Sequence, residues 1–162
     1  MNNISYIFLI FFLAFGKANA QSTISTKETI ASRIKAPEGF SRLAAKENSF
    51  ALYLRNLPLK PAHEKVHYFD GRIKENRGVY VAVVDMDIGK KDLQQCADAV
   101  MRLRGEFLFH SKQKEKIHFH FLSDGKPHSF TQFAKGDFSY ANFIKYMELV
   151  FKRANTASLF MN

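Results

Sequence analysis

The stretch DLQQCADAVMRLRGEFLF, residues 92–109, decides how this chain folds. It is the longest segment with a helical period, because apolar residues recur at steps of three and four. They are Leu93, Cys96, Ala97, Val100, Leu103 and Phe107. Asp92 is suited to cap the helix, since its carboxylate can accept unpaired backbone N–H groups of the first turn. The pattern predicts a helix from Asp92 to Phe109 that packs this apolar stripe into the core.

Cys96, the single cysteine of the chain, falls in the first turn of the predicted helix. Backbone N–H dipoles at a helix N-terminus stabilise a thiolate, so Cys96 is a candidate nucleophile. Gln95 beside it is a candidate donor to an oxyanion. The alternative is that Cys96 is a small buried hydrophobe, the commoner role for a lone cysteine on an apolar face.

Charged side chains follow each other at four-residue spacing on the same helix, at Asp98, Arg102 and Glu106. This spacing brings oppositely charged groups together along one side of a helix. Ladders of this kind usually lie on a solvated face and contribute little to stability. We therefore expect no function from this one.

The strand IHFHFL, residues 117–122, alternates strictly. Its odd-numbered apolar residues share one face, and His118 and His120 share the other. Either histidine is a candidate base for Cys96, because a cysteine nucleophile needs one. If the phenylalanine face packs against the Cys-bearing helix, however, both histidines point away from Cys96. Two histidines on one strand face are also a metal-ligand pattern, but their spacing matches no established zinc motif, so no metal is predicted.

The chain predicts one α+β domain after an N-terminal leader. Residues 21–36 are expected to be a flexible lead-in, and residues 37–162 a single domain. It would hold a small, mostly antiparallel sheet packed with the Cys-bearing helix and a C-terminal helix that Asp137 caps. The segment 79–88 begins as a continuous β-branched run, typical of a strand buried on both faces. The strands are expected near 66–69, 79–88, 117–122 and 130–133.

Residues 1–20 are predicted to be a signal peptide. Residues 4–15 form an apolar run too short to span a bilayer comfortably, and Ala18 and Ala20 fit a signal-peptidase site. Cleavage before Gln21 predicts export to the periplasm or the extracellular space, without stable membrane insertion of the mature chain. A retained membrane anchor is the alternative.

The chain is basic, with a formal net charge of +9. A basic exported protein is expected to associate with a cell-wall polymer or another anionic envelope component. Nucleic acid is not an expected partner, because no basic helix or aromatic RNA-binding signature is present. No phosphate-binding glycine loop, nucleophile elbow or zincin motif is present, and no cofactor is predicted.

Six segments together cover nearly all of the mature chain: PEGFSRL (37–43), SFALYLRNLPLKP (49–61), VHYFDGRIK (66–74), AVVDMDIGKKDLQQCADAVMRLRGEFLF (82–109), IHFHFLSDG (117–125) and NTASL (155–159). They resemble the uncharacterised exported bacterial family called domain of unknown function 4846. The family brings no established activity with it.

The resemblance implies a longer layout than this chain has. Members of the family continue past the NTASL segment into strands with a Gly-His-Ala-Val-like stretch, similar to the histidine-bearing half of papain-like cell-wall cysteine peptidases. The chain would then be half of a papain-like fold, truncated after Asn162, with Cys96 as nucleophile and the usual base missing. Two functions stay open: an incomplete cysteine hydrolase or amidase of the cell envelope, and a non-catalytic envelope-associated binding or structural module with a buried cysteine.

Overall fold

The computed structural model describes residues 27–75 and 78–161, which contain both helix and strand. The predicted signal peptide lies outside the described residues. No helix within the described ranges is long and apolar enough to cross a membrane. The elements are α1 (Ile30–Arg33), α2 (Phe50–Arg55), α3 (Cys96–His110), a 3₁₀ turn (Lys114–Lys116), β1 (His118–His120), β2 (Pro127–Ser129), α4 (Phe130–Ala134), α5 (Tyr140–Arg153) and α6 (Thr156–Leu159).

The sheet of the described residues is a two-stranded antiparallel pair, β1 with β2. Within the predicted strand 117–122 the alternation is confirmed, because the buried side chains are Ile117, Phe119 and Phe121. The strand predicted near 130–133 is wrong. The Ser129 hydroxyl accepts the Gln132 N–H at 3.2 Å there and begins helix α4 instead.

The strands predicted at 66–69 and 79–88 are also absent from the described part of the chain. Each reduces to a single bridge: His67 with Ile73, and Leu59 with Val84. The segment 79–88 is not buried on both faces, since Val79 is 74% exposed and Val81 is 85% exposed. A run of β-branched residues favours a strand, but burial of both faces requires other elements packed on each side. The described residues do not supply them.

Helix α3 begins at Cys96 rather than at Asp92. Its first turn is closed where the Gln95 N–H donates to Asp98 Oδ2 at 3.0 Å. The helix also buries a different face from the predicted stripe, of which Val100 is 50% exposed. The buried face is rotated from the predicted one by about 150°, so that the two faces share only Phe107. It consists of Asp98, Met101, Arg102, Gly105, Glu106, Phe107 and Leu108.

Gly105 gives a physical reason for this rotation. A Cβ atom at Gly105 would lie 3.1 Å from Met147 Sδ and 3.2 Å from Phe143 Cζ, both on α5. Met147 and Phe143 are fully buried, at 0% exposure. The missing side chain therefore lets α3 and α5 approach closely along the Gly105 face, and that contact sets which side of α3 enters the core.

The N-terminus of α5 is displaced from the predicted position. Its N-cap is Ser139, whose hydroxyl accepts the Asn142 N–H at 3.2 Å. Asp137, the predicted cap, acts one step earlier, because its Oδ1 accepts the Ser139 N–H at 3.0 Å. This backbone contact lowers the pKa of Asp137 below its usual range.

The described part of the predicted lead-in is docked onto the domain. Within it the Ile30 N–H, at the start of α1, donates to Leu57 O at 3.2 Å. The Leu59 N–H donates to Glu28 O at 2.8 Å. Residues 27–36 are thus tied to the segment that follows α2.

Candidate functional site

Cys96 is the first residue of the 15-residue helix α3, and it is exposed. The interpretation of Cys96 as a buried hydrophobe is therefore wrong, because the buried face of α3 is not the one that carries it. The first N–H groups of an α-helix have no acceptor within the helix. Together with the helix dipole they favour negative charge at this end.

The Cys96 thiol lines an open groove of 440 Å³ at the start of α3. Gln95, the predicted oxyanion donor, is exposed and lines the groove beside it. The other side is formed by Asn155 and Thr156, where α6 begins. The Asn155 side chain is already engaged, because its Oδ1 accepts the Ala157 N–H at 2.8 Å. The groove thus places an exposed thiol next to the side chain of Gln95, which also takes part in the capping box of α3.

The structure does not bring the predicted bases to this groove. Neither His118 nor His120 is among the side chains that line it. Both alternate with the buried Phe119 along β1 and so lie on the outward face, with their ring centroids 6.3 Å apart. The described residues contain no group of three or more His, Cys, Asp or Glu side chains arranged to hold a metal ion.

The charge ladder of α3 is buried rather than solvated, contrary to the sequence prediction. Arg102 is 4% exposed and Glu106 is 3% exposed. Arg102 Nε donates to Glu106 Oε1 at 2.7 Å, and the Tyr140 hydroxyl of α5 donates to the same oxygen at 2.7 Å. These two donors compensate the Glu106 carboxylate for the water it has lost.

His110, at the last position of α3, extends this cluster to the surface. Its Nε2 lies 3.2 Å from Glu106 Oε2, while its side chain is 61% exposed. Burial and then the hydrogen bond to Glu106 raise the pKa of Tyr140 above its ordinary value. Burial by itself would lower the pKa of Arg102, but the hydrogen bond and the charge of Glu106 raise it. The cluster therefore keeps Arg102 charged and Tyr140 protonated at neutral pH.

A cleft of 360 Å³ opens over the cluster, between the C-terminal end of α2, the segment before α3, and α3 itself. Its wall includes Tyr53 from α2, Asp85 and Asp87 from the loop, and His110 from α3. Burial, followed by the charge of Glu106, raises the pKa of Tyr53 to about 12. Cys96 and His110 stand at opposite ends of α3, about 21 Å apart at about 1.5 Å per residue, so His110 is no base for Cys96.

A family model described as a domain of unknown function (4846) matches residues 30–138, more than half of the chain. The chain belongs to this family. The matched segment of domain 4846 contains all of α3, with Cys96 and His110 at its ends, and stops just before Tyr140. No curated protein and no solved structure matches the chain.

Proposed function

We propose that this chain is an exported, cysteine-dependent hydrolase or amidase of the cell envelope in which Cys96 is the nucleophile. One observation carries the proposal: an exposed thiol occupies the first position of a 15-residue helix and opens into a groove. A helix of this length concentrates partial positive charge at its N-terminus, and the thiolate is the reactive form of cysteine.

In the proposed reaction the Cys96 thiolate attacks the carbonyl carbon of an ester or amide. A C–S bond forms, and the carbonyl electron pair moves onto the oxygen. That oxyanion is met by N–H groups of the first helical turn and by the side-chain amide of Gln95. When the electron pair returns, the C–O or C–N bond breaks, the leaving group takes a proton from water, and a thioester remains for water to hydrolyse. Since neither His118 nor His120 lines the groove, the nucleophile is a thiolate formed at the helix end rather than in a thiol–imidazole pair.

Acyl transfer to Cys96 is tested with p-nitrophenyl acetate, whose leaving group departs without needing a proton. We expect the protein to gain one acetyl group, mapped to Cys96 by peptide mass spectrometry, and the Cys96→Ser protein to lack it. A matched control, Cys96→Ser combined with Val100→Cys, moves the thiol one turn along α3 to a position that is 50% exposed. Faster acetylation at position 96 than at the control position supports the proposal. Equal rates, or acetylation confined to lysines, contradict it.

We also propose an anionic envelope polymer as the binding partner. The proposal is supported by the excess of Lys and Arg, 24 against 15 Asp and Glu, and by a second surface groove, of 370 Å³, whose lining includes the exposed Lys65 and Lys74. We expect retention on purified cell-wall material that weakens as salt is raised. The variant Lys65→Glu should elute earlier than Lys145→Glu, a reversal of equal charge at an exposed lysine on α5. Identical elution of the variants would count against this partner.

A further inference from the structure

The cleft over Glu106 carries chemistry that the proposed function does not use. Arg102 and Glu106 have both been removed from water, at 4% and 3% exposure. Apolar side chains of similar volume often replace such a pair without loss of stability, so packing alone does not require it. Ionisable groups in perturbed environments at the wall of a cleft are typical of functional sites.

Glu106 orients His110 within this cleft. His110 Nε2 lies 3.2 Å from the carboxylate oxygen Oε2, a distance that favours the tautomer with the proton on Nε2. In the neutral ring, Nδ1 is then left as an acceptor. The carboxylate cannot turn away easily, because Arg102 Nε and the Tyr140 hydroxyl hold its other oxygen. His110 Nδ1 is therefore an exposed hydrogen-bond acceptor, and the buried Glu106 carboxylate holds its ring in place.

The carboxylates of the cleft, Asp85, Asp87 and Glu106, are acceptors as well, and two of the three are already balanced by a cation. Asp85 pairs with Lys27 Nζ at 2.6 Å, and Glu106 pairs with Arg102. Asp87 uses Oδ1 to accept the Gly89 N–H at 2.8 Å, leaving its second oxygen for a ligand. A net charge of +9 opposes the approach of cationic ligands. The cleft therefore fits a neutral ligand that brings several hydrogen-bond donors.

Apolar surface completes the wall of the cleft. Tyr53, Pro58 and Met86 line it together with the acceptors. A ring that carries hydroxyl groups at its edge and C–H groups on its face matches this combination. The volume of 360 Å³ lies in the range of small-molecule sites and holds a ligand of this size.

We propose that this cleft binds a sugar unit of a glycan, with His110 Nδ1 accepting a hydrogen bond from a ring hydroxyl. Asp85 and Asp87 accept hydrogen bonds from further hydroxyls, and Tyr53 packs against the apolar face of the ring. Its His110 lies about 21 Å along α3 from Cys96, and the site does not depend on the nucleophile. Its ligand class follows from the acceptors and the apolar wall alone.

The test is a titration of the full protein, followed by NMR, with methyl β-glucoside, methyl β-galactoside and chitotriose. We expect saturable binding in the millimolar range, and about threefold to tenfold weaker binding in His110→Phe, which removes one hydrogen-bond acceptor but keeps an aromatic ring. His118→Phe, at an exposed histidine on β1, should bind as the unmodified protein does. His110 is largely exposed, and Glu106 keeps Arg102 and Tyr140 in this variant, so its melting temperature should fall only slightly.

Three results would overturn the proposal. They are no saturable binding of any sugar, equal weakening in the two histidine variants, and tighter binding of spermidine than of the sugars with the same dependence on His110. Sugar binding by the Cys96→Ser protein separates this site from the proposed nucleophile. A failure of acetyl transfer therefore does not affect the sugar assignment, and a failure of sugar binding does not affect Cys96.

Discussion

At the scale of single residues, Glu106 shows how a buried charge becomes tolerable. Its two carboxylate oxygens are met by Arg102, Tyr140 and His110, and each partner comes from a position that the helical packing fixes. Removal of one partner leaves the others imperfectly compensated in a site from which water is excluded. The stability of the cluster should therefore be strongly non-additive.

Arg102→Met tests this coupling. We expect a loss of about 3 to 5 kcal/mol in the free energy of unfolding, because the Glu106 charge stays buried without its ion-pair partner. The measurement is urea unfolding at neutral pH. The double variant Arg102→Met, Glu106→Leu should recover part of the loss, since it removes both charges together.

Arg104→Met is the matched control for this prediction. Arg104 is exposed and contacts the rings of Phe50 and Phe107 at 5.5 Å. Its loss should cost less than about 1 kcal/mol, the range of an exposed cation–π contact. Equal losses at positions 102 and 104 would show that the Arg102–Glu106 pair has no special role.

The sequence identified Cys96 and Gln95 as neighbours in a possible site, but not the Glu106 cluster. The four-residue spacing of Arg102 and Glu106 shows that they can pair, but it does not show whether another element buries the pair. One residue that packs over the pair is Tyr140, which is 34 positions away from Glu106 in the sequence, and no local pattern links the two. Whether a ladder of charged residues is buried depends on the elements packed against it. Spacing along the helix does not reveal those elements, and the ladder was therefore wrongly predicted to be exposed to solvent.

At the scale of elements, both long helices were predicted, yet the buried face of α3 was not. Its apolar residues are spread around the helix, so their spacing alone does not separate the predicted stripe through Val100 and Leu103 from the buried one through Met101 and Leu108. Contact with α5 at Gly105 decides between them. Glycine is read from sequence as a weak point of a helix, whereas here it marks the closest approach of two helices.

Gly105→Ala should lower stability even though alanine is the better helix former. The gain in helix propensity is about 1 kcal/mol. Against it, the new methyl group would lie 3.1 Å from Met147 Sδ and 3.2 Å from Phe143 Cζ, in a core where both are fully buried. Overpacking of this kind costs about 1 to 3 kcal/mol, so we expect a net loss in thermal unfolding.

Relief of the same contact provides the control. Adding Met147→Val to Gly105→Ala should remove less stability than the sum of the two single changes, because the smaller side chain makes room for the methyl group. Additive effects, or a rise in melting temperature in Gly105→Ala alone, would mean that α3 and α5 are not in close contact there.

The N-terminus of α5 gives a second prediction at this scale. Ser139→Ala should cost about 1 kcal/mol, because the cap to the Asn142 N–H is lost. Asp137→Asn should cost less, since an amide oxygen still accepts the Ser139 N–H. The free energies of unfolding of the two variants in urea are compared, and the larger loss identifies the residue that caps α5. A larger loss in Asp137→Asn would restore Asp137 as the cap.

At the scale of the whole molecule, the mixed helix and strand class was predictable, and the size of the sheet was not. The run through Val79 and Val81 has the composition of a buried strand but is largely exposed, because composition reports a preference and not the presence of neighbouring strands. The core of the described residues is instead an aromatic cluster between α3, α4, α5 and the β1–β2 pair.

The tyrosines of this core predict a loss of stability in alkali. Burial, with the nearby charge of Glu106, raises the pKa of Tyr53 to about 12, against about 10 in an unfolded chain. Burial raises the pKa of Tyr146 as well. Between these values the unfolded state releases a proton that the folded state retains. The stabilising contribution of Tyr53 is therefore fully present below about pH 10 and is lost as the pH rises to about 12.

Urea midpoints at about pH 8 and about pH 11 check this prediction. We expect the midpoint to fall between the two, and to fall less in Tyr53→Phe. The control Tyr68→Phe changes a side chain that is 43% exposed and should match the unmodified protein. An identical fall in both variants would assign the alkaline loss to groups other than Tyr53.

Helix α3 presents Cys96 as an activated, accessible thiol in the proposed function, and the rate of its alkylation by iodoacetamide measures both properties at once. We expect folded protein to react faster than urea-unfolded protein. It should also react about twofold to fivefold faster than the folded Cys96→Ser, Val100→Cys control, which lacks the helix terminus. A folded Cys96 that reacts more slowly than the unfolded chain, or no faster than the control, would contradict both the exposed groove and the proposed nucleophile.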